Sequence, residues 1–184
     1  LLMRSNAIVV QTERDREWLG QIGGSALMNK SSALPNGVYS IQNKSTFVKV
    51  PTILFVTSFF DSHYGDIVKD FIRNVLPIIR HSIPDVRLIL LGRGLEDQQE
   101  LAELVENERG IQHLNYVSDL NDVYREAWIV YARVDKAYGI MNKVIEAYCY
   151  GRPVIGDASA FNGVEDSVKL GVGIVAHGPD DIAR

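Results

Sequence analysis

The sequence has a single cysteine, Cys149, so no disulfide can form within the chain, and a reducing compartment is the expected setting. No apolar stretch approaches the roughly 18–20 residues that a membrane-spanning helix needs. There is no basic excess either: 19 Lys and Arg stand against 23 Asp and Glu, a net charge of −4. Binding a phosphate backbone needs a clustered cationic face, so nucleic acid is excluded as the expected partner. The histidines His63, His81, His113 and His177 show no metal-ligand spacing, and no metal is expected. Internal repeats and low-complexity tracts are missing too. The opening Leu1-Leu2-Met3 lacks a charged n-region and a cleavage site, so no secretory signal is expected and the location is read as cytoplasmic. The chain reads as a piece cut from something longer.

What is present is the balance of a globular protein, 46% hydrophobic and 23% charged over 184 residues, enough for one domain and a remnant. Short β-branched runs alternate with helical patterns. "AIVVQT" (7–12) reads as a strand and "ERDREWL" (13–19) as a polar helix. "ALPNGV" (33–38) ends in a turn signal, and a polar stretch over 39–49 reads as a linker. After it, strands are expected at 52–59, 86–92, 111–117, 128–133, 153–156 and 173–178. Helices are expected at 66–83, 96–108, 120–127 and 140–150, with a helix start at 179–184. Pro77 is expected to kink the first of these. Alternating helices and continuously apolar strands imply an α/β fold, a doubly wound parallel sheet covered on both faces.

In such a sheet, ligands sit beyond the carboxyl ends of the strands. The first strand-to-helix turn, "TSFFDSHYGD" (57–66), is rich in hydroxyls and carries His63. In the second, "GRGLED" (92–97), Arg93 stands between two glycines, although no dinucleotide fingerprint is completed. In the third, Ser118 or Asp119 can cap a helix. The fourth, "RVDKAYGIMNKVIE" (133–146), is the most informative. Gly139 lets the backbone approach a ligand, and the amides after it open a helix with their N–H groups unsatisfied, an anion site strengthened by the helix dipole. Lys143, if it points the same way, adds a mobile positive charge. Glu146 follows Asn142 by one turn, so both can share a face, and a carboxylate there suits a ribose diol. A solvated stripe of charge explains the same two residues equally well. Ile140, Val144, Ile145, Ala147 and Tyr148 are left to cover the sheet, and Cys149 reads as a small buried apolar side chain. Tyr116 and Val117 can flank a base or simply pack.

"GIMNKVIEAYCYGRPVIGDASAFNGV" resembles the signature region of retaining, nucleotide-sugar-dependent glycosyltransferases of the GT-B, glycogen-synthase-like class. The likeness is closest to members that build bacterial exopolysaccharides and surface polysaccharides. "ALPNGV", "ILFVTSF", "FIRNVLPIIRHSIPDVRLILLGRG" and "HLNYVSDLNDVYREAWIVYA" match in order, so the resemblance covers nearly the whole chain. It implies a Rossmann-like C-terminal half of a GT-B fold: residues 1–38 as the tail of the acceptor-side domain, 39–49 as linker, and 50–184 as the donor-binding domain. It further implies that Glu146 holds the nucleotide ribose, and that Gly139, Ile140 and Met141 present amides to the diphosphate and donor sugar. Asn142 and Lys143 belong to the same motif.

Two features depart from the family pattern. Its first glutamate falls on Tyr138, and its arginine and lysine of the first turn fall near Ser58 and near His63 or Tyr64. Lys143, Arg93 or Arg133 is then left to carry the phosphate charge. The implied substrate is a UDP- or GDP-sugar, with no cofactor and a glycan or lipid-linked acceptor. Any membrane association would belong to the absent half. The lost carboxylate and cations also fit a catalytically silent domain of the same fold, and a nucleotide-sugar epimerase shares the architecture.

Overall fold

A computed structural model describes residues 2–38, 48–135 and 139–183. The expected linker therefore falls almost wholly outside the described residues, and so does Tyr138.

Six parallel strands form the main sheet: β3 (Thr52–Val56), β4 (Arg87–Leu91), β5 (Ile111–Leu114), β6 (Ile129–Tyr131), β7 (Val154–Gly156) and β8 (Gly173–Val175). Their order is β5-β4-β3-β6-β7-β8, and every neighbouring pair is parallel. Each strand is shorter than its apolar run, because pairing ends where the chain turns toward its helix. The central strands are buried on both faces, as a sheet covered on both sides requires. Phe55, Leu88, Leu90, Tyr131 and Ile155 face one helical layer, while Leu54, Ile89, Leu91, Val130 and Val154 face the other. The strand period of two produces this division.

The first layer holds α2 (Ser62–Asp70), α3 (Leu76–Ser82), α4 (Gln99–Asn107) and α8 (Pro179–Ala183). α2 starts four residues before the expected helix, because the Asp61 carboxylate accepts the His63 N–H and caps it there. Between α2 and α3 lies a wide turn, Phe71–Val75, in which the Leu76 N–H reaches back to the Phe71 carbonyl. It immediately precedes Pro77, whose ring cannot sit in a regular α-helical turn, so the proline widens the helix there. The second layer holds α5 (Leu120–Glu126), α6 (Asn142–Cys149) and α7 (Asp166–Lys169). Asp119 caps α5 through the Asn121 N–H at 2.8 Å. α7 has no counterpart in the sequence reading; at four residues it is too short for a periodic signal.

Residues 8–33 form a separate two-stranded parallel sheet, β1 (Ile8–Val10) and β2 (Ser31–Ala33), joined by α1 (Glu13–Met28). Its own small core is Ile8, Leu19 and Leu27. A capping box between Thr12 and Asp15 starts α1, which runs nine residues past the expected end and kinks at Gly24.

The strand order reverses between β3 and β6. Chain leaving β3 moves to β4 and β5 on one side; chain leaving β6 moves to β7 and β8 on the other. The crevice at the carboxyl ends of β3 and β6 is thus the switch point where open α/β sheets bind ligands.

Candidate functional site

The loop leaving β6 delivers Gly139 and α6 to this crevice. Gly139 has φ +71°, and a Cβ there would lie 2.0 Å from Gln11 Oε1, so only glycine fits. The Gln11 side chain comes from the segment before α1, and its Oε1 accepts the Ile140 N–H at 3.2 Å. Gln11 Nε2 donates to Asn36 Oδ1 at 2.9 Å, and Asn36 Nδ2 donates to Asn142 Oδ1. An amide oxygen supplied by the protein therefore occupies one of the expected donors at the helix start. Met141, the residue before α6, gives it no side-chain cap.

Glu146 and Asn142 share a face of α6 and line a cavity of about 650 Å³ with Ile145, Cys149, Tyr150 and Leu120. Glu146 Oε2 accepts from the Tyr124 hydroxyl of α5 at 3.2 Å. Tyr124 is fully buried and stacks on Tyr150, with centroids 4.5 Å apart and planes 8° from parallel. Burial, then the adjoining Glu146 carboxylate, drives its hydroxyl pKa far up, so it stays a donor to that carboxylate. Ile145 and Cys149, expected in the core, are half-buried on the cavity side instead. They lie one and two turns from Asn142 and so turn with it, away from the sheet. Burial and then Glu146 raise the Cys149 thiol pKa, which suppresses its thiolate.

Lys143 does not share the face of Glu146. It turns inward across the strand ends, where its Nζ lies 4.8 Å from the Tyr64 ring centroid and 5.5 Å from that of Phe55. The amine is buried without a hydrogen-bond partner. Desolvation lowers its pKa to about 8, with Asp157 opposing. The expected mobile cation is thus a fixed, buried one.

The other cations differ in how they are committed. Arg133 is gripped by Asp70 at 2.7 Å and Asp135 at 2.9 Å. Burial opposes its charge, but the hydrogen bonds to Asp135 and Asp70 outweigh it and raise its pKa. Arg93 is exposed at the end of β4, its guanidinium 5.2 Å from the centroid of the Tyr116 ring. Ser58 is exposed just past β3. Beside it, Gly92 brings its backbone so near the Thr57 carbonyl that a Cβ would come within 1.6 Å. His63 lies at the start of α2, 3.5 Å from Asp135. His113 is half-buried with Nε2 2.8 Å from the Gly92 carbonyl oxygen. Tyr138 lies outside the described residues.

Sequence reasoning missed Gln11, Asn36 and Tyr124, which touch the site from afar in the chain. Asn36 had a local signal in Pro35-Asn36-Gly37, read as a turn and as part of the family resemblance but not as part of the site; Gln11 and Tyr124 had none. Among the described residues no cluster of three His, Cys, Asp or Glu side chains could hold a metal.

The family described as glycosyl transferases group 1 matches residues 50–184. Among solved structures, a TarM variant of S. aureus in complex with fondaparinux, alpha-GlcNAc-glycerol and UDP aligns with TM-score 0.76 and 19% identity, over 97% of this chain and 35% of that one. HepE of Anabaena in complex with UDP and glucose gives 0.69 and 15%, over 96% and 50%. The pneumococcal O-GlcNAc transferase GtfA in complex with UDP and GlcNAc gives 0.68 and 18%, over 97% and 36%. The chain thus spans about a third to a half of the solved structures it matches. No curated protein matches it.

Proposed function

From the premise that this chain belongs to the group 1 glycosyl transferases, we propose that it binds a nucleotide-diphosphate sugar at the β3–β6 switch point for transfer to a glycan or lipid-linked acceptor with retention. The observation that carries the reading is Glu146, held by a buried tyrosine hydroxyl on the wall of a cavity that begins at an amide-bearing helix start. One carboxylate oxygen is fixed by Tyr124, which orients the group to accept the two hydroxyl hydrogens of a ribose. The Ile140 amide is the nearest donor for the diphosphate, and Gln11 Oε1 stands where a phosphate oxygen would arrive.

The phosphate charge falls to Lys143 and Arg93, since Arg133 is already neutralised by two carboxylates. Lys143 acts from beneath, through the low-dielectric wall of the site rather than by contact. Arg93 stands two strand spacings from β6, roughly 10 Å, and reaches the far end of the ligand with Tyr116. Oriented amides and cations of this kind stabilise the charge that builds on a departing diphosphate. Residues 1–38 serve as the tail of the acceptor-side domain. The UDP complexes of the solved neighbours make uridine the first base to test.

Calorimetric titration of the chain with UDP, GDP and ADP tests this reading. Binding of at least one nucleotide is expected, with a loss of tenfold or more in Glu146→Gln, whose amide oxygen can still accept from Tyr124 and so leaves the melting temperature near the wild type's. A folded chain that binds none at millimolar concentration would instead be the catalytically silent domain, a second reading that the buried Lys143 and committed Arg133 favour.

A further inference from the structure

Three consecutive residues after β6 have their polar groups committed on two flanks. Arg133 places its Nη1 2.7 Å from Asp70 Oδ2 on α2, and its Nε 2.9 Å from Asp135 Oδ1. Asp135 Oδ2 also lies 3.5 Å from His63 Nε2 at the start of α2. On the other flank, the Val134 N–H donates to the Asp157 carboxylate at 2.9 Å, and the Ser159 hydroxyl donates to the Asp135 carbonyl at 3.3 Å. The segment after β7 that supplies Asp157 and Ser159 also supplies Asn162, whose Nδ2 donates to the Gly139 carbonyl at 2.8 Å. Residues 133–135 and Gly139 are therefore referred to one frame.

Two observations set this apart from an ordinary surface ion pair. Asp135 has φ +54°, and no other non-glycine residue among the described residues has a positive φ. An L side chain is disfavoured there; aspartate is tolerated because its carboxylate can bond locally, here to Arg133. Asp70 is itself fixed, since Asn74 of the wide turn Phe71–Val75 donates to its other oxygen at 2.7 Å. That bond first, and Arg133 against the opposing burial, lower the Asp70 pKa, so the carboxylate stays charged. Partly exposed pairs add little to stability, and stability alone does not account for a left-handed residue inside the network.

We propose that Arg133 is a positioning residue: its guanidinium, forked between Asp70 and Asp135, sets the direction in which the chain leaves β6 and so the place of the Gly139 and Ile140 amides, without touching the ligand. The inference rests on the reading of the Ile140 N–H as a donor to the diphosphate. Such a donor must be held within about 0.5 Å of its productive place. Asn162 anchors the chain at Gly139, and the Arg133 fork anchors it at the strand end. The arginine that β6 carries to the crevice thus supplies geometry rather than phosphate charge. Lysine cannot replace it, because one ammonium lacks the planar fork whose Nε and Nη1 reach two different carboxylates.

Amide hydrogen exchange by NMR on the purified chain, with calorimetry using UDP and uridine, tests this. In Arg133→Met, exchange at Gly139 and Ile140 is expected to quicken tenfold or more, while the core amides of Leu88 and Leu90 and the melting temperature stay as in the wild type. UDP affinity should fall fivefold or more with uridine affinity unchanged, since the ribose is held by Glu146. A merely structural role would move both ligands and the core amides together. Arg133→Lys should lose as much as Arg133→Met. Recovery of UDP affinity in Arg133→Lys would show that charge and not the fork matters, and would overturn the proposal. Asp135→Asn, which tolerates the same φ, is the milder second variant and should shift exchange at Ile140 in the same direction. Unchanged exchange at Gly139 and Ile140 in these variants also overturns it. A wild type that binds neither UDP nor uridine removes the nucleotide reading, while the exchange comparison still decides the role of Arg133.

Discussion

At position 143 the fold encloses an ammonium group against two aromatic rings, with no hydrogen-bond partner and only the Asp157 carboxylate to offset its burial. Desolvation outweighs the attraction of Asp157, which is why its pKa falls to about 8. The sign of the pH dependence follows. Below pH 8 the amine is charged in both folded and unfolded chains and its burial destabilises the fold. Between pH 8 and the ordinary lysine value the folded chain binds fewer protons than the unfolded one, so stability rises with pH there. Lys143→Met should therefore be more stable than the wild type by about 1–3 kcal/mol at pH 7 in urea unfolding. That advantage should shrink steadily from pH 8 to pH 10. A bound diphosphate would add a second counter-charge to that of Asp157, so wild-type nucleotide affinity should fall as pH rises through 8, and this dependence should vanish in Lys143→Met. A flat pH profile in both would show that the amine does not sense the ligand.

Between elements, the contact that matters most for the site is the one between α5 and α6. Each helix is amphipathic and could lie on the sheet alone; Tyr124 stacked on Tyr150 and bonded to Glu146 fixes their relation. Tyr124→Phe keeps the ring and removes one hydrogen bond, a cost near 1 kcal/mol. It should leave the melting temperature almost unchanged and still weaken nucleotide binding several-fold, because Glu146 loses the group that orients it. If affinity is unaffected while Glu146→Ala abolishes it, the hydroxyl has no positioning role. Much of this layer was legible beforehand. Apolar runs such as Thr52–Val56 and Arg87–Leu91 located the strands, and the spacing of Val144 and Ala147 located α6. The start of α2 and the extent of α1 were less visible, since a cap at Asp61 and a kink at Gly24 are decided by one residue each rather than by a period.

For the molecule as a whole, alternation of strand and helix was enough to anticipate a doubly wound sheet, and the order of motifs was enough to indicate the family. The fine structure of the site was not accessible in the same way. Gln11 meets Ile140, and Asn36 meets Asn142, across more than a hundred residues, and no local pattern encodes such meetings. The inward turn of Lys143 was hidden for a related reason: at its spacing the residue can face the cavity or the strand ends, and packing decides. The chain spans only a third to a half of its solved neighbours. Incubated alone with UDP-glucose and a glycan acceptor, it should release no UDP above the uncatalysed rate, and detectable turnover would overturn the assignment of residues 1–38 to an acceptor-side domain.

If a diphosphate takes the Ile140 amide as proposed, the Gln11 carboxamide bonded to that amide is a tethered competitor. A group held on the same polypeptide is present at an effective concentration in the millimolar range, so an incoming ligand must outbid it before the helix start is free. Swinging β1–α1–β2 aside would unmask that amide, and filling the amide would in turn loosen the swing, which makes occupancy of the crevice and the posture of the amino-terminal segment two faces of one equilibrium.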